Sequence, residues 1–399
     1  MTERLYYEDA YLWSFEAKIM QIRNGSRPGE WLVTLDRSAF YPTSGGQPFD
    51  LGTLTFGKKN TARVTGVEAA ADGEVWHTVN REIPVGTPVH GEIDGARRTD
   101  HMEQHGGEHM LAGAIWEKLG GTTIGLHLGQ TESTIDVTLP DARVHLTEEE
   151  IQLLEETVNA RIRMDAPIRC WFPDAEELRR LPLRKPPTVT EHVRIVAMGD
   201  FEMVACGGTH PSSTGRIGMM KILTTAPSRG KIRISFVCGG RALKLFQTYM
   251  RYANKAGAAL SCPIENLSRA AADLKGRLVE AEKRANNLES RAILSTMAEK
   301  ETAEDLPGVM LCTVTLPETD ARAVNAAVSD YIAQGGRAVL LSAGERLTFA
   351  RSADVEIDMN ALIRRVARGG GRPEMASGAG IAECVSVART ILMKEGIGS

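Results

Sequence analysis

Apolar and polar side chains alternate along Trp31-Leu-Val-Thr-Leu-Asp36 and again along Val75-Trp-His-Thr-Val79, the period of a half-buried strand. Between them, Phe40-Tyr-Pro-Thr-Ser-Gly-Gly-Gln-Pro-Phe-Asp50 is dense in turn formers and is followed by Gly52. Several short strands punctuated by Gly and Pro predict a small antiparallel barrel over residues 1–93. From 94 to 240 helix and strand patterns alternate. Thr99 to Leu119 has helical spacing, with His101, His105 and His109 on one drifting face and Leu111, Ile115 and Leu119 on another. Ser133-Thr-Ile-Asp-Val137 reads as a strand. Thr147 to Arg163 reads as a helix, with Thr147 as N-cap and Glu148, Glu149 and Glu150 at the positive end of its dipole. Strands at Val193-Arg-Ile-Val196, Gly218 to Leu223 and Ile232 to Val237 complete the segment.

Residues 241–305 read as helical, and Leu267, Ala271, Leu274, Leu278, Ala281, Ala285, Leu288 and Ala292 alternate spacings of four and three. That seam predicts a helical hairpin with the stretch Leu243 to Ala258, or a contact between two copies of the chain. Residues 306–399 form a separate α/β pattern, with strands at Gly308 to Thr313, Ala338 to Ser342 and Leu347 to Arg351 and helices at Asp320 to Gln334, Met359 to Arg368 and Ile381 to Lys394. Gly369 to Gly380 reads as a Gly-rich loop opening the last helix, and Arg365, Arg368 and Arg372 flank Gly369, Gly370 and Gly371, a combination suited to phosphate. The fold class expected is α+β: an N-terminal β-barrel, an α/β domain with a metal site, a helical linker and a C-terminal α/β domain.

Composition narrows the class without naming it. No apolar run approaches the ~20 residues of a membrane helix, and Met-Thr-Glu-Arg-Leu-Tyr is no signal peptide. Six scattered cysteines fit a reducing compartment, so the expected location is the cytoplasm and thiols remain free to bind metal. A net charge of −4 gives no global attraction to nucleic acid, although local basic clusters occur at Arg179-Arg180 with Arg184-Lys185 and from Arg229 to Arg233.

The chemistry concentrates in His105-Gly-Gly-Glu-His109 and Cys206-Gly-Gly-Thr-His210, each placing two metal-competent side chains four residues apart. Together they offer the His3Cys set that suits one tetrahedral zinc ion per chain. Spacing alone leaves open whether His101 or His109 partners His105. Gly106 and Gly107 within a helix each cost about 1 kcal/mol relative to Ala, so something approaches that backbone closely, either a bulky substrate or a packed strand. His105-x-x-Glu-His109 also has the form of an inverzincin peptidase motif with Glu108 as general base. A peptidase would take its third ligand from a carboxylate, for which Glu148 to Glu156 offers candidates, and would not need the thiolate of Cys206.

The two motifs resemble the paired signatures of the editing domain of alanyl-tRNA synthetases and of the free-standing AlaX-type editing proteins. Leu35-Asp-Arg-Ser-Ala-Phe-Tyr-Pro-Thr-Ser-Gly-Gly-Gln-Pro-Phe-Asp50 is similar to the barrel signature before that domain, and Gly215-Arg-Ile-Gly218 and Arg233-Ile-Ser-Phe-Val237 fall where the family has similar segments. With no aminoacylation module ahead of residue 1, the long AlaX type is the form expected. The resemblance implies a domain division at 1–93, 94–240, 241–305 and 306–399 and His105, His109, Cys206 and His210 as zinc ligands. It implies hydrolysis of mischarged tRNA(Ala), chiefly seryl-tRNA(Ala) and then glycyl-tRNA(Ala). Glu108, Thr43 and Gln47 are the catalytic candidates, with Thr43, Ser44 or Thr209 reading the serine hydroxyl and His127 lining the pocket. The C-terminal Arg and Gly residues would contact the tRNA elbow, and a homodimer would form through the helices or the C-terminal domain. A non-catalytic tRNA-binding zinc protein is the alternative outside enzymology.

Overall fold

The computed structural model describes residues 1–187 and 192–395 of a mixed α+β chain that divides into two compact units, Met1–Tyr252 and Ala253–Ser399. The four-part division expected from the sequence is finer than these two units.

The first unit begins with the barrel. Six strands close in the neighbour order Ser14–Asn24, Trp31–Leu35, Val75–Val79, Asn60–Ala69, Gly52–Phe56 and Pro88–Ile93, with every pairing antiparallel. Alternation works as the sequence implies: Val75, His77 and Val79 point inward between half-exposed neighbours. Ile19, Val33, Leu35, Phe40, Leu54 and Val64 fill the interior. His77 is the polar exception, taking the Ser38 hydroxyl on Nε2 at 2.8 Å and facing the Val33 carbonyl through Nδ1 at 3.3 Å. Burial lowers its pKa to about 4.

A central helix, Gly95–Leu119, follows directly, capped by the Asp94 side chain at Arg97 N and ended by left-handed Gly120. It is buried along nearly its whole length from Arg98 to Ile115, so its polar side chains need partners. Arg98 has them: Nε reaches both Asp50 oxygens at 3.0 Å, Nη1 donates to Ala10 O and Nη2 donates to Ala39 O. Asp50 in turn accepts Tyr41 N–H at 2.6 Å, and the Asp50 N–H returns to Tyr41 O, so the two ends of the 41–50 turn meet. Gln104 exchanges two hydrogen bonds with the Cys238 backbone.

The glycines of the central helix serve this packing. A Cβ on Gly107 would lie 2.1 Å from Cys238 Sγ, and one on Gly106 would lie 3.0 Å from the Ile217 side chain. A packed strand, and not a substrate, approaches the helix backbone. Cys238 ends the strand Lys231–Cys238, part of a four-stranded antiparallel sheet with Met220–Ser228, Ser133–Thr138 and Thr122–Leu128. The helix Glu148–Arg163 carries a complete capping box between Thr147 and Glu150. A second sheet pairs Ile168–Trp171, Ile195–Met198 and Glu202–Ala205, and the last of these strands delivers Cys206.

The second unit is built on six strands ordered Glu301–Thr302, Met310–Leu316, Arg337–Ala343, Arg346–Arg351, Met375–Ala379 and Arg368–Gly371. One expectation changes here. Gly369, Gly370 and Gly371 do not form a loop at a helix N-terminus; they are an edge strand in a hairpin with Met375–Ala379. Side chains would not fit, since a Cβ on Gly371 would lie 2.4 Å from Met375 O and one on Gly369 2.6 Å from Ser377 O. Close hairpin contact therefore explains Gly369 and Gly371, and Ala379 lies in the partner strand. The helix Leu267–Glu299 buries Ser290, Ile293 and Met297, while the seam residues Leu274, Leu278 and Leu288 are 52%, 56% and 67% exposed. Among the described residues no helix is long and apolar enough to cross a membrane.

Two outcomes are expected. Gly107→Ala should destabilise the protein by about 1–3 kcal/mol through overpacking, despite the helix propensity of Ala, and Cys238→Ala in the same chain should recover most of the loss in urea unfolding. Equal stability of Gly107→Ala and the parent would contradict the packing reading. The second outcome concerns His77. Unfolded, its imidazole takes a proton near 6.5 against about 4 in the fold, so the unfolded chain binds more protons between those values. Its contribution, of order 3 kcal/mol, is present above pH 6.5 and is lost as pH falls toward 4. Replacing His77 with Asn should flatten that part of the stability–pH curve.

Candidate metal centre and its cavity

The central helix and the loop after Glu202–Ala205 bring four side chains to one point. One ligand atom from each of His105, His109, Cys206 and His210 lies within 4.8 Å of the others. His105 and His109 are one helical turn apart, so their rings stack at 5.0 Å between centroids. Cys206 Sγ is 3.5 Å from His105 Nε2 and 3.3 Å from His210 Nε2. A tetrahedron with zinc bonds of ~2.0–2.3 Å has edges of about 3.3–3.6 Å, and the two Cys206 distances fall in that range. Spacing left the partner of His105 open; the structure selects His109. His101, one turn earlier, is buried outside the cluster, and burial lowers its pKa to about 4.

Burial keeps all four groups uncharged in the absence of a cation. Burial lowers His105 to about 3 and holds His109 and His210 well below the usual range, which keeps their lone pairs free of protons. Burial also pushes the Cys206 thiol up to about 12, so the thiolate needs a compensating cation. Both ring nitrogens of His109 and Nδ1 of His210 are buried without a hydrogen-bond partner. Unpaired buried nitrogens are costly, and a bound cation would use lone pairs that protein leaves idle. The donor set therefore fits zinc.

Backbone and neighbours fix the arrangement. A Cβ on Gly208 would lie 2.2 Å from His105 Cε1, so the Cys206 loop can close over the imidazole only with Gly there. Arg194 Nη1 donates to Cys206 O at 3.1 Å and Gly208 O at 2.8 Å, and its guanidinium lies over the Tyr7 ring. Gln47 is wholly buried. Its Oε1 accepts Thr209 N–H at 3.1 Å and faces His105 Nδ1 at 2.9 Å, while its Nε2 donates to Thr209 Oγ1 at 2.8 Å.

A cavity of about 540 Å³ opens beside His105, His109 and Cys206, with Tyr7, Tyr41, Glu108, Arg184, Lys185 and Arg194 in its wall. Burial pushes the Glu108 carboxyl up to about 7 against the pull of Arg184. Arg184 is anchored by Glu202, with Nε at 2.9 and 2.8 Å from its two oxygens. The cavity is thus rimmed by cations and aromatics around one carboxyl group.

Other expected residues lie elsewhere. Thr43 is exposed with its N–H on Val67 O, and Ser44 and Gly45 line the cavity in its place. Gln47 cannot act on a substrate directly, because its amide is engaged behind the cluster, where Thr209 is also fully buried. His127 is exposed, and Thr123 and Leu126 on the same strand face the cavity. No carboxylate joins the cluster among the described residues. Glu150 pairs with Arg143 and Glu155 with Lys221, which removes the ligand a peptidase would need. In the second unit Arg365 is held bidentately by Glu395 at 2.7 Å, while Arg368 and Arg372 are exposed. Sequence reasoning missed Arg194, Tyr7 and Tyr41. A signal existed for Arg194, an isolated charge within the apolar stretch Val193-Arg-Ile-Val196.

Comparison with known proteins places this geometry. Residues 193–235 match the family described as the threonyl and alanyl tRNA synthetase second additional domain, and residues 2–97 match the class II (A) tRNA synthetases. The alanyl-tRNA editing protein AlaX-L of Pyrococcus horikoshii is 30% identical over 405 positions, covering 95% of this chain and 94% of that protein. The alanine–tRNA ligase of Pyrococcus abyssi is 34% identical over 302 positions, but the match spans only 31% of the ligase's length. Among solved structures, manganese-bound exonuclease RecJ overlaps 35% of this chain and 38% of its own at 18% identity and a TM-score of 0.27, too slight a likeness to build on.

Gly208→Ala should displace the His105 ring and weaken metal binding about 10–100-fold, the range for loss of a ligand's supporting contact. Competition against a chelator would measure it, and unchanged affinity would show that the loop does not depend on Gly at 208.

Proposed function

The chain belongs to the family of the AlaX-L alanyl-tRNA editing proteins, and from that membership we propose that it is a trans-acting deacylase of mischarged tRNA(Ala), chiefly seryl-tRNA(Ala) and secondly glycyl-tRNA(Ala). The observation that carries this reading is the shared wall of the cavity: His105, His109 and Cys206 of the metal cluster and the carboxyl of Glu108 face one space. The chemical need is general. An alanine pocket cannot strongly reject an isostere that adds only a hydroxyl, and a missing methyl is worth only ~1–3 kcal/mol, so a hydrolytic second sieve is required.

His105, His109, Cys206 and His210 would hold one zinc ion. Bound there, zinc supplies fixed positive charge beside the ester. Glu108 would take a proton from water as the water oxygen bonds to the ester carbonyl carbon, and would pass it to the ribose oxygen as the ester C–O bond breaks. Lys185 and Arg184 place positive charge at the rim, where the terminal phosphates of the tRNA pass, and Tyr7 offers an aromatic edge for a base. Ser44, on the cavity wall where Thr43 is not, becomes the first candidate to hydrogen-bond the serine hydroxyl, a bond that an alanyl ester would leave unmade.

Arg368 and Arg372, exposed at the sheet edge, would contact tRNA. Arg365, engaged by Glu395, would contribute less. The exposed seam at Leu274, Leu278 and Leu288 is where a second copy would pack in a homodimer.

The test is deacylation of seryl-, glycyl- and alanyl-tRNA(Ala) in parallel by the zinc-loaded protein. The seryl ester should be lost selectively. Cys206→Ala should abolish turnover, and Glu108→Gln should lower kcat by about 10²–10⁴, the range for a general base. Seryl-tRNA(Ala) that is bound but as stable as in buffer would overturn the deacylase in favour of a tRNA-binding protein, and full activity in Glu108→Gln would remove Glu108 from the chemistry.

A further inference from the structure

We infer that Gln47, a barrel residue, is the positioning residue of the metal centre: it fixes the tautomer of His105 and so aims the ligand nitrogen. The inference rests on the zinc-ligand reading of His105, His109, Cys206 and His210.

One group in this contact has no freedom of role. The Thr209 backbone N–H can only donate, and it meets the Gln47 side chain at 3.1 Å, so the atom it meets is the amide oxygen. That orientation is met a second time, because the amide nitrogen then donates to Thr209 Oγ1 at 2.8 Å. The same oxygen faces His105 Nδ1 at 2.9 Å. Two lone pairs at that distance repel, so Nδ1 carries the proton. Nε2 is then left as a bare lone pair, and it is the nitrogen that faces Cys206 Sγ at 3.5 Å. In the other tautomer a proton on Nε2 would occupy the place of the ion.

The turn that presents Gln47 is itself rigid. Ser44 and Gln47 exchange backbone hydrogen bonds in both directions, and Leu128 N–H donates to Gly46 O. Gly45 and Gly46 take positive φ of 57° and 86°, and a Cβ on Gly46 would lie 2.6 Å from Leu126 O. The two glycines therefore seat the turn against the strand Thr122–Leu128 and leave Gln47 one direction to point. Gln47 reaches Thr209, inside the Cys206–His210 motif, and His105, inside the other motif, at once. Both halves of the metal site are thereby gauged against one amide of the barrel.

Gln47→Met keeps the length of the side chain and removes its hydrogen bonds; Gln47→Glu keeps an acceptor for both N–H groups. In competition with a chelator, Gln47→Met should bind zinc 10–100-fold more weakly than the parent, and Gln47→Glu should restore most of the affinity. In the zinc-loaded parent, ¹⁵N spectra of the His105 ring should show metal on Nε2 and a slowly exchanging proton on Nδ1; that protection should vanish in Gln47→Met. Parental zinc affinity in Gln47→Met, or coordination through Nδ1 in the parent, overturns the inference. Should Gln47→Met fail to fold, a folded Gln47→Glu that loses zinc overturns it equally. A parent that holds no zinc is a separate result, seen before any variant is compared, and it defeats the metal-site reading instead.

Discussion

Arg98 and Asp50 form an ion pair with both side chains wholly removed from water, and the first unit is assembled around it. Such a pair gives little net stability over an apolar substitute, but losing one partner costs about 3–5 kcal/mol because the other charge is stranded. Here each charge is answered several times over: the guanidinium also reaches Ala10 O and Ala39 O, and the carboxylate also takes Tyr41 N–H. Those partners belong to the N-terminal segment, the edge of the barrel and the start of the 41–50 turn. The pair thus sets where the central helix leaves the barrel and pins the base of the turn whose far side carries Gln47. Position at the metal cluster is inherited from charge burial at the first turn of the helix.

The cluster itself combines groups that burial alone would make unreactive. Low imidazole and high thiol pKa values mean that, without a cation, all four groups sit uncharged. A dication bound through a thiolate would have to expel the thiol proton, so its affinity would rise with pH. The neighbouring carboxyl of Glu108, raised for the same reason of burial, responds to the same incoming charge.

What could be read in the sequence follows from the range of each interaction. Spacings of two, three and four residues report on local geometry, so the alternation at Val75–Val79, the N-cap at Thr147, and the His105–His109 and Cys206–His210 pairs are legible. Interactions between segments leave no such trace. Gly106 and Gly107 announced a close approach, but only the fold shows that Ile217 and Cys238 make it. Thr43 and Ser44 are adjacent in a turn, and nothing in their order says which one faces the cavity. The heptad at Leu267 to Ala292 is a helix as its period implies, and within one chain its buried residues are Ser290, Ile293 and Met297. The Gly369 run was mistaken for a phosphate loop because glycine marks close approach of any kind, and here the approaching group is the partner strand of a hairpin.

The span of the Gln47–Thr209 contact, 162 residues of chain, bears on how the molecule comes into being. Contacts so far apart in sequence form late, since the loop they close must first be drawn together. A chain leaving the ribosome can complete its barrel and begin the central helix while the Cys206 motif is still unmade. The imidazoles of His105 and His109 are then brought into register with Cys206 and His210 only by the docking of the Cys206 loop. A cation that needs all four side chains would then be held only after residues 206–210 are made, and until that point the His105–His109 pair stands alone as a two-nitrogen half-site.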